Sequence, residues 1–229
     1  MNIILQIIIG FFLADVISGI FHWFEDSYLD YCIDIPILSG IAKANEMHHY
    51  FPRTIISYSY WENINVTFPL TVSILFILYL LNKSLFKHVY LIASFAFFSI
   101  ISNLLHRFSH MRECENNQVI NFLQSTGILC PHKHHSVHHI KDAEKYCVIT
   151  VYSNYILDSI YFWRVLEYTI FLFTGIQPSR KPYNDYYIIQ NHMHENAKLK
   201  CPDKPTKKDI DELKYMLKHY KNCNKRFND

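Results

Sequence analysis

Three long apolar runs limit what this chain can fold into. Residues 3–24 read "IILQIIIGFFLADVISGIFHWF", about the ~20 residues that cross ~30 Å of hydrocarbon as a helix. A second run, "INVTFPLTVSILFILYLL" (64–81), and a third, "HVYLIASFAFFSIISNLL" (88–105), are separated only by "NKSLFK". So short a connection predicts an antiparallel helical hairpin. Two near-uncharged runs of this length in so small a chain argue against buried core helices of a soluble protein. No basic stretch precedes the first run and no small-residue cleavage site follows it, so it reads as a membrane helix rather than a signal peptide. A fourth apolar region, 147–176, carries Asn154, Asp158, Arg164 and Glu167. It could span, dip in or lie along the interface. The expected fold is an all-α integral membrane protein with about four transmembrane or membrane-embedded helices.

The 229 residues suffice for one membrane domain, expected over 1–180, followed by a polar basic tail over 181–229. The formal charge is only +2, and Lys and Arg concentrate between Arg180 and Arg226. That pattern suits a membrane surface and makes nucleic acid an unexpected partner. Within the tail, Ile210, Leu213 and Leu217 could form one side of an amphipathic helix. The six cysteines form no CxxC pair and read as free thiols in a reducing compartment.

"HKHHSVHH" (132–139) places five histidines in eight positions. If the chain crosses at the first run, returns before residue 64 and crosses back through the third, the clustered histidines share one membrane face. His22, "EMHHYFP" (46–52), "HRFSH" (106–110) and the 132–139 cluster all fall there, and His88 falls opposite. Short-loop charge makes the histidine side cytosolic: Lys43, Arg53, Arg107, Arg112, Lys133, Lys141 and Lys145 lie on it, against Lys83 and Lys87 opposite.

The spacings are those of helical ligands. His106 and His110 are i,i+4, as are His22 and Asp26; His135, His138 and His139 are i, i+3 and i+4. His48 and His49 are adjacent and diverge by ~100° on a helix, so each could serve a different metal or hydrogen-bond partner. A zinc site, hydrolytic or sensory, needs only three or four ligands and leaves histidines over. Two metals bound mainly by imidazole account for the number better, and imidazole with open positions suits iron and dioxygen. Beside lipid, the C–H bond such a centre would oxidise belongs to a lipid chain. A hydroxylase with the same histidines, a membrane zinc hydrolase and a non-catalytic metal-binding membrane protein are the alternatives.

"ADVISGIFHWFED" (14–26), "HHYFPRTI" (48–55), "HRFSH" (106–110), "HSVHH" (135–139) and "YCVITVYSNYILDSIYFWRVLE" (146–167) resemble, in order, the membrane lipid desaturases. That family includes plasmanylethanolamine desaturase and the plant palmitoyl-phosphatidylglycerol trans-3 desaturase. The resemblance covers roughly residues 10–180. It implies a four-helix membrane fold, two iron ions, O2 as co-substrate and an external electron donor, expected to be a small haem or iron–sulfur protein. It implies a membrane phospholipid or ether lipid as substrate, in the endoplasmic reticulum or an equivalent host membrane.

Carried over by position, His22, His48, His49, His106, His110, His135, His138 and His139 become iron ligands. Asp26 becomes a ligand or an acceptor orienting an imidazole, the latter favoured, and Asn154 and Asp158 could complete or support the centre. His132 and His134 are not required by the pattern, although His134 could replace His135 in a shifted register. Tyr58-Ser59 stands where the ether-lipid branch carries "HD", which leaves the substrate open. Gly19 is read as a close-packing position.

Overall fold

The computed structural model describes residues 1–30, 32–50, 52–140 and 144–178. The tail from 179 onward, including the amphipathic segment expected around 210–217, lies outside the described residues. Every regular element within them is helical: α1 (Ile3–Tyr28), α2 (Pro36–Tyr50), α3 (Thr54–Ser57), α4 (Tyr60–Leu81), α5 (Val89–Ile100), α6 (Ser102–Ser109), α7 (Gln118–Ser125), α8 (His132–Ile140), α9 (Val151–Ser159) and α10 (Phe162–Thr174), with a 3-10 turn at Lys83–Lys87.

The apolar runs fold into the scaffold. Helices α1, of 26 residues, and α4, of 22, are long and apolar enough to cross a bilayer. Helices α5 and α6 pass the same test together as a pair bent by 50°, a broken span or a re-entrant loop. The bend has an identifiable cause: the Thr67 hydroxyl of α4 donates to the Ile100 carbonyl and Ser102 Oγ donates to Ser99 O, diverting carbonyls at the break. Helix α1 packs along α5, and Gly10 lets them approach closely. A Cβ there would sit 2.5 Å from Leu91 O and 2.8 Å from Ser94 Cβ. Ser94 Oγ then reaches the Ile7 carbonyl at 2.8 Å. Ser59 starts α4 through a capping box with Glu62, so it has a local structural role where the ether-lipid branch carries an acid.

By length and composition two helices, or three if the bent pair counts as one, are candidate spans, against about four transmembrane or membrane-embedded helices expected. Helix α10 has 13 residues, about 20 Å at ~1.5 Å per residue, too short to cross ~30 Å of hydrocarbon. The 147–176 region is broken twice. Residues 144–150 are not helical, and Tyr161 adopts a left-handed φ of 55° between α9 and α10.

Cysteine usage also differs from expectation. Cys130 and Cys147 are free and buried, but Cys32, shortly after α1, and Cys114, shortly after α6, are disulfide-bonded. Spacing gives no sign of this because the two lie in separate loops, both following helix ends that carry histidines. Cys201 and Cys223 lie outside the described residues.

Candidate metal centre

Four helix ends deliver the histidines to one place. Helix α1 supplies His22 and, one turn on, Asp26; the last turn of α2 supplies His48 and His49. Helix α6 supplies His106, and His110 caps its C-terminus. Helix α8 supplies His135, His138 and His139. All eight imidazoles are buried, His135 and His138 completely.

They sort into two groups. His48, His106, His110, His135 and His139 form the first, and His22, Asp26, His49 and His138 the second; within each, one ligand atom per residue lies within 4.8 Å of all the others. The adjacent pairs are what join the groups. His48 enters one and His49 the other, and His139 and His138 divide in the same way, because neighbouring helical residues diverge by ~100°.

In the first group, Nε2 of His106 lies 2.8 Å from Nε2 of His135 and 3.0 Å from that of His110, and Nε2 of His139 lies 3.1 Å from that of His135. A ring nitrogen carries either one proton or one lone pair, so His106 Nε2 cannot donate to one neighbour while accepting from the other. A metal satisfies all of them. With metal–nitrogen bonds of about 2.1 Å, ligands at right angles are about 3.0 Å apart. Both ring nitrogens of His48 are buried without a hydrogen-bond partner, which is costly unless an ion supplies one. The donor set is therefore compatible with a metal site. Burial, reinforced by the neighbouring imidazoles, holds His48, His110, His135 and His139 well below the usual imidazole range. They stay neutral, the form that binds metal.

In the second group the Asp26 carboxylate sits among imidazole nitrogens. It lies 2.8 Å from His49 Nε2, 3.2 Å from His138 Nε2 and 3.6 Å from His22 Nε2. Asn45 Nδ2 donates to its Oδ1 at 2.8 Å. Asp26 thus meets the nitrogens that would face a metal, whereas an acceptor orienting an imidazole would sit at the opposite ring nitrogen. For His22 and His138 that opposite nitrogen is held by the backbone of the non-helical segment 144–150. His22 Nδ1 lies 3.0 Å from Tyr146 O and His138 Nδ1 lies 3.0 Å from Glu144 O. A carbonyl can only accept, so each Nδ1 carries the proton and Nε2 is left with its lone pair.

The segment is itself anchored from both sides. Asp15 of α1, completely buried, accepts from Ile149 N at 2.8 Å. Asn154 of α9 takes both polar groups of Cys147, accepting from its N at 2.9 Å and donating to its O at 2.8 Å. Gly19 lets the segment lie against α1, since a Cβ there would be 2.6 Å from Cys147 Sγ. The close approach expected at Gly19 is made to this segment, while helix-on-helix approach falls at Gly10.

Asn154 and Asp158 enter neither group. Asp158 Oδ1 accepts from Trp163 Nε1 at 3.0 Å and Lys145 N at 3.4 Å. His134 is also outside both groups. It is half-buried, with Nε2 3.3 Å from Asn154 Nδ2, and burial pushes its imidazole down to about 4. His132 Nδ1 meets Ser109 O at 3.2 Å, and His88 caps α5 far along the chain from the cluster. Sequence reasoning missed Asp15, Asn45 and the two carbonyls. Asp15 stands within the quoted "ADVISG" stretch, but Asn45 and the carbonyls carry no signal in residue type or spacing.

Comparison with known proteins agrees with this geometry. Residues 11–181 match the family model described as the lipid desaturase domain. A probable fatty acid desaturase of Acanthamoeba polyphaga mimivirus is 30% identical over 187 residues, 78% of this chain and 88% of that protein. Plasmanylethanolamine desaturase 1 of Mus musculus is 29% identical over 77% of this chain and 68% of its own. The chloroplastic fatty acid desaturase 4-like 1 of Arabidopsis thaliana is 28% identical over 77% of this chain and 60% of its own. No solved structure matches.

Proposed function

We propose that this chain, which belongs to the lipid desaturase domain family, introduces a double bond into the alkyl or acyl chain of a membrane phospholipid or ether lipid. The observation that carries the reading is the pair of buried groups, joined through His48-His49 and His138-His139. Two iron ions are the metals proposed, one on His48, His106, His110, His135 and His139 and one on His22, His49, His138 and Asp26. With O2 and two electrons from an external donor, such a pair supplies an oxidant strong enough for an unactivated C–H bond. The balance is one –CH2–CH2– unit, one O2, two electrons and two protons giving one –CH=CH– and two waters.

The residues' part is positional. Tyr146 O and Glu144 O fix the rings of His22 and His138, Asp26 adds negative charge to the second group, and Asn45 holds its carboxylate. A small haem or iron–sulfur protein is the proposed donor, docking on the histidine face, in the endoplasmic reticulum or an equivalent host membrane. Short-loop charge favours the cytosol for that face. The bonded Cys32 and Cys114 point instead toward an oxidising compartment. Charge governs insertion before any disulfide forms, and the cytosolic facing is the one proposed.

The test is metal analysis of the purified chain followed by lipidomics of a plasmalogen-deficient cell line expressing it. About two irons per chain, and lipids lighter by two hydrogens as vinyl ethers or new acyl double bonds, are expected. Lipids that gain oxygen would make it a hydroxylase. Zinc with unchanged lipids would overturn the redox reading.

A further inference from the structure

A line of aromatic rings runs from the second histidine group to the protein surface. The Tyr146 ring lies 5.0 Å from that of His138 and 6.1 Å from that of His22, centroid to centroid. Trp163 meets Tyr146 at 4.8 Å, edge to face, and Trp23 stacks on Trp163 at 6.3 Å with 28° between their planes. All three rings are buried. Trp163 nevertheless forms part of the wall of a surface cavity, with Glu144, Asp158, Arg164 and the largely exposed Tyr161. One end of the line thus rests on proposed ligands and the other reaches a wall open to solvent.

Packing accounts for buried aromatic rings in contact. It does not account for what their polar atoms meet. Each indole donates its N–H to a carboxylate: Trp163 Nε1 to Asp158 Oδ1 at 3.0 Å, and Trp23 Nε1 to Glu167 Oε1 at 3.3 Å. A carbonyl would satisfy a buried indole at less cost, because carboxylates withdrawn from water are expensive. The cations beside the cavity have other acids. Arg164 pairs with Glu167 at 2.6 Å, and Lys145 Nζ lies 3.5 Å from Glu144. Among the described residues Asp158 is bonded to neutral N–H groups, those of Trp163 and the Lys145 backbone, and so remains a base. An indole that loses an electron becomes strongly acidic at its N–H, and a base already at hydrogen-bond distance takes that proton without rearrangement.

We propose that Trp163, Tyr146 and Trp23 form a one-electron relay. It carries electrons from the surface at the α9–α10 junction to the second histidine group when the oxidant raised there finds no lipid C–H bond. The inference rests on the two-metal reading for that oxidant, which is strong enough for an unactivated C–H bond and therefore for an indole. Without substrate, O2 becomes two waters only if two further electrons and two protons replace the hydrogens of the lipid chain. Trp163 gives one electron through the Tyr146 ring and its Nε1 proton to Asp158. The N–H bond breaks, an O–H bond forms on the carboxylate, and a neutral indole radical remains. Trp23, stacked on Trp163, shares the vacancy. The external one-electron donor then reduces the radical at the cavity wall and Asp158 returns the proton. Two such cycles supply both electrons, solvent supplies the protons for water, and the ligand imidazoles are spared oxidation.

The test reads radicals rather than turnover. The full chain, loaded with iron and stripped of phospholipid in detergent, is mixed with hydrogen peroxide, which supplies O2 and two electrons together. Samples are frozen rapidly for electron paramagnetic resonance, and added oxygen is mapped by peptide mass spectrometry. Wild type should give an indole radical whose spectrum narrows when its tryptophans carry deuterated rings. Trp163→Phe keeps a ring in place and removes the indole, so the radical should be lost and added oxygen should move to His22, His138 or Tyr146. Asp158→Asn keeps an acceptor and removes the base, so the radical should weaken. Iron per chain should match wild type in both variants; a role confined to packing would change iron content or melting temperature and not where oxidation falls. An indole radical that survives Trp163→Phe, or peroxide consumed by iron-loaded wild type with no aromatic radical, would overturn the relay and leave the two-metal reading intact. A chain that takes up no iron and leaves peroxide untouched would overturn both.

Discussion

Replacing Gly19 by alanine adds one methyl carbon, and the structure says what it meets. That carbon would lie 2.6 Å from Cys147 Sγ and 3.2 Å from both Cα and N of Cys147. Comfortable carbon contacts start near ~3.5 Å, so α1 and the 144–150 segment must separate by roughly 1 Å. Cys147 is completely buried and its sulfur has nowhere to swing. The same segment carries the Tyr146 carbonyl, 3.0 Å from His22 Nδ1; moved by ~1 Å it leaves hydrogen-bond range. Two stability effects compete. Alanine in a helix interior gains ~1 kcal/mol over glycine, and overpacking costs ~1–3 kcal/mol. The net is a loss of about 0–2 kcal/mol. Metal binding decides more sharply, because losing the group that orients a ligand costs ~10–100-fold in affinity. The assay is metal per chain across a series of buffered free-iron concentrations, with thermal unfolding on the same samples. Gly19→Ala should need ~10–100-fold more iron. Adding Cys147→Ala, which removes the 2.6 Å contact and leaves the 3.2 Å ones, should recover most of the loss. Wild-type iron uptake with a raised melting temperature in Gly19→Ala would refute the reasoning, leaving only helix propensity at work.

Each histidine group can be emptied separately. His106→Ala should abolish desaturation and lower metal content chiefly at the first group, and His138→Ala chiefly at the second, whereas His88→Ala should leave both readouts near wild type; full activity in His138→Ala would end the two-metal assignment. Asp26→Asn keeps shape and loses charge, so it should lose iron and activity together if the carboxylate binds metal, or only ~10–100-fold in affinity if it merely orients a ring; wild-type values of both would leave Asp26 idle. Asp15→Ala leaves the Ile149 N–H buried and unpaired, costing ~1–3 kcal/mol, and an unchanged melting temperature would show that the anchor contributes nothing. A glycosylation acceptor placed at 83–87 should be modified in microsomes and one near 114–117 should not; the reverse would move the histidine face out of the cytosol and remove a cytosolic donor.

The spans were readable because twenty apolar residues in a row have few other uses. The histidine spacings were readable because i,i+4 pairs share a face wherever the helix goes. What sequence could not show is how the pairs divide between two groups. That depends on which way α2 and α8 are rotated, which is set by packing and not by spacing. The 147–176 stretch leaves its course open in the sequence for a different reason. An apolar run does not show where a helix will break, and the non-helical course of 144–150 is held by Asp15 and Asn154, distant in sequence on one side and local on the other. Asp26 was read as orienting a ring because eight imidazoles seemed sufficient. The two groups hold five and three imidazoles, and the Asp26 carboxylate lies with the three.

The 144–150 segment also sets when the proposed centre can form. His22 waits for Tyr146, 124 residues later, and Asp15 for Ile149, 134 residues later. During synthesis all three apolar spans have left the ribosome before that segment appears, and loop closure over such distances is the slow kind of folding event. Until then His22 has no acceptor for its Nδ1 proton, and His135, His138 and His139 are the last ligands to be made. A chain halted before residue 150 would sit in the membrane with most of its imidazoles present and no means of aiming them. If the proposed metals bind there, their loading comes late in biogenesis, and a C-terminal truncation entering α9 would then cost metal as well as a helix.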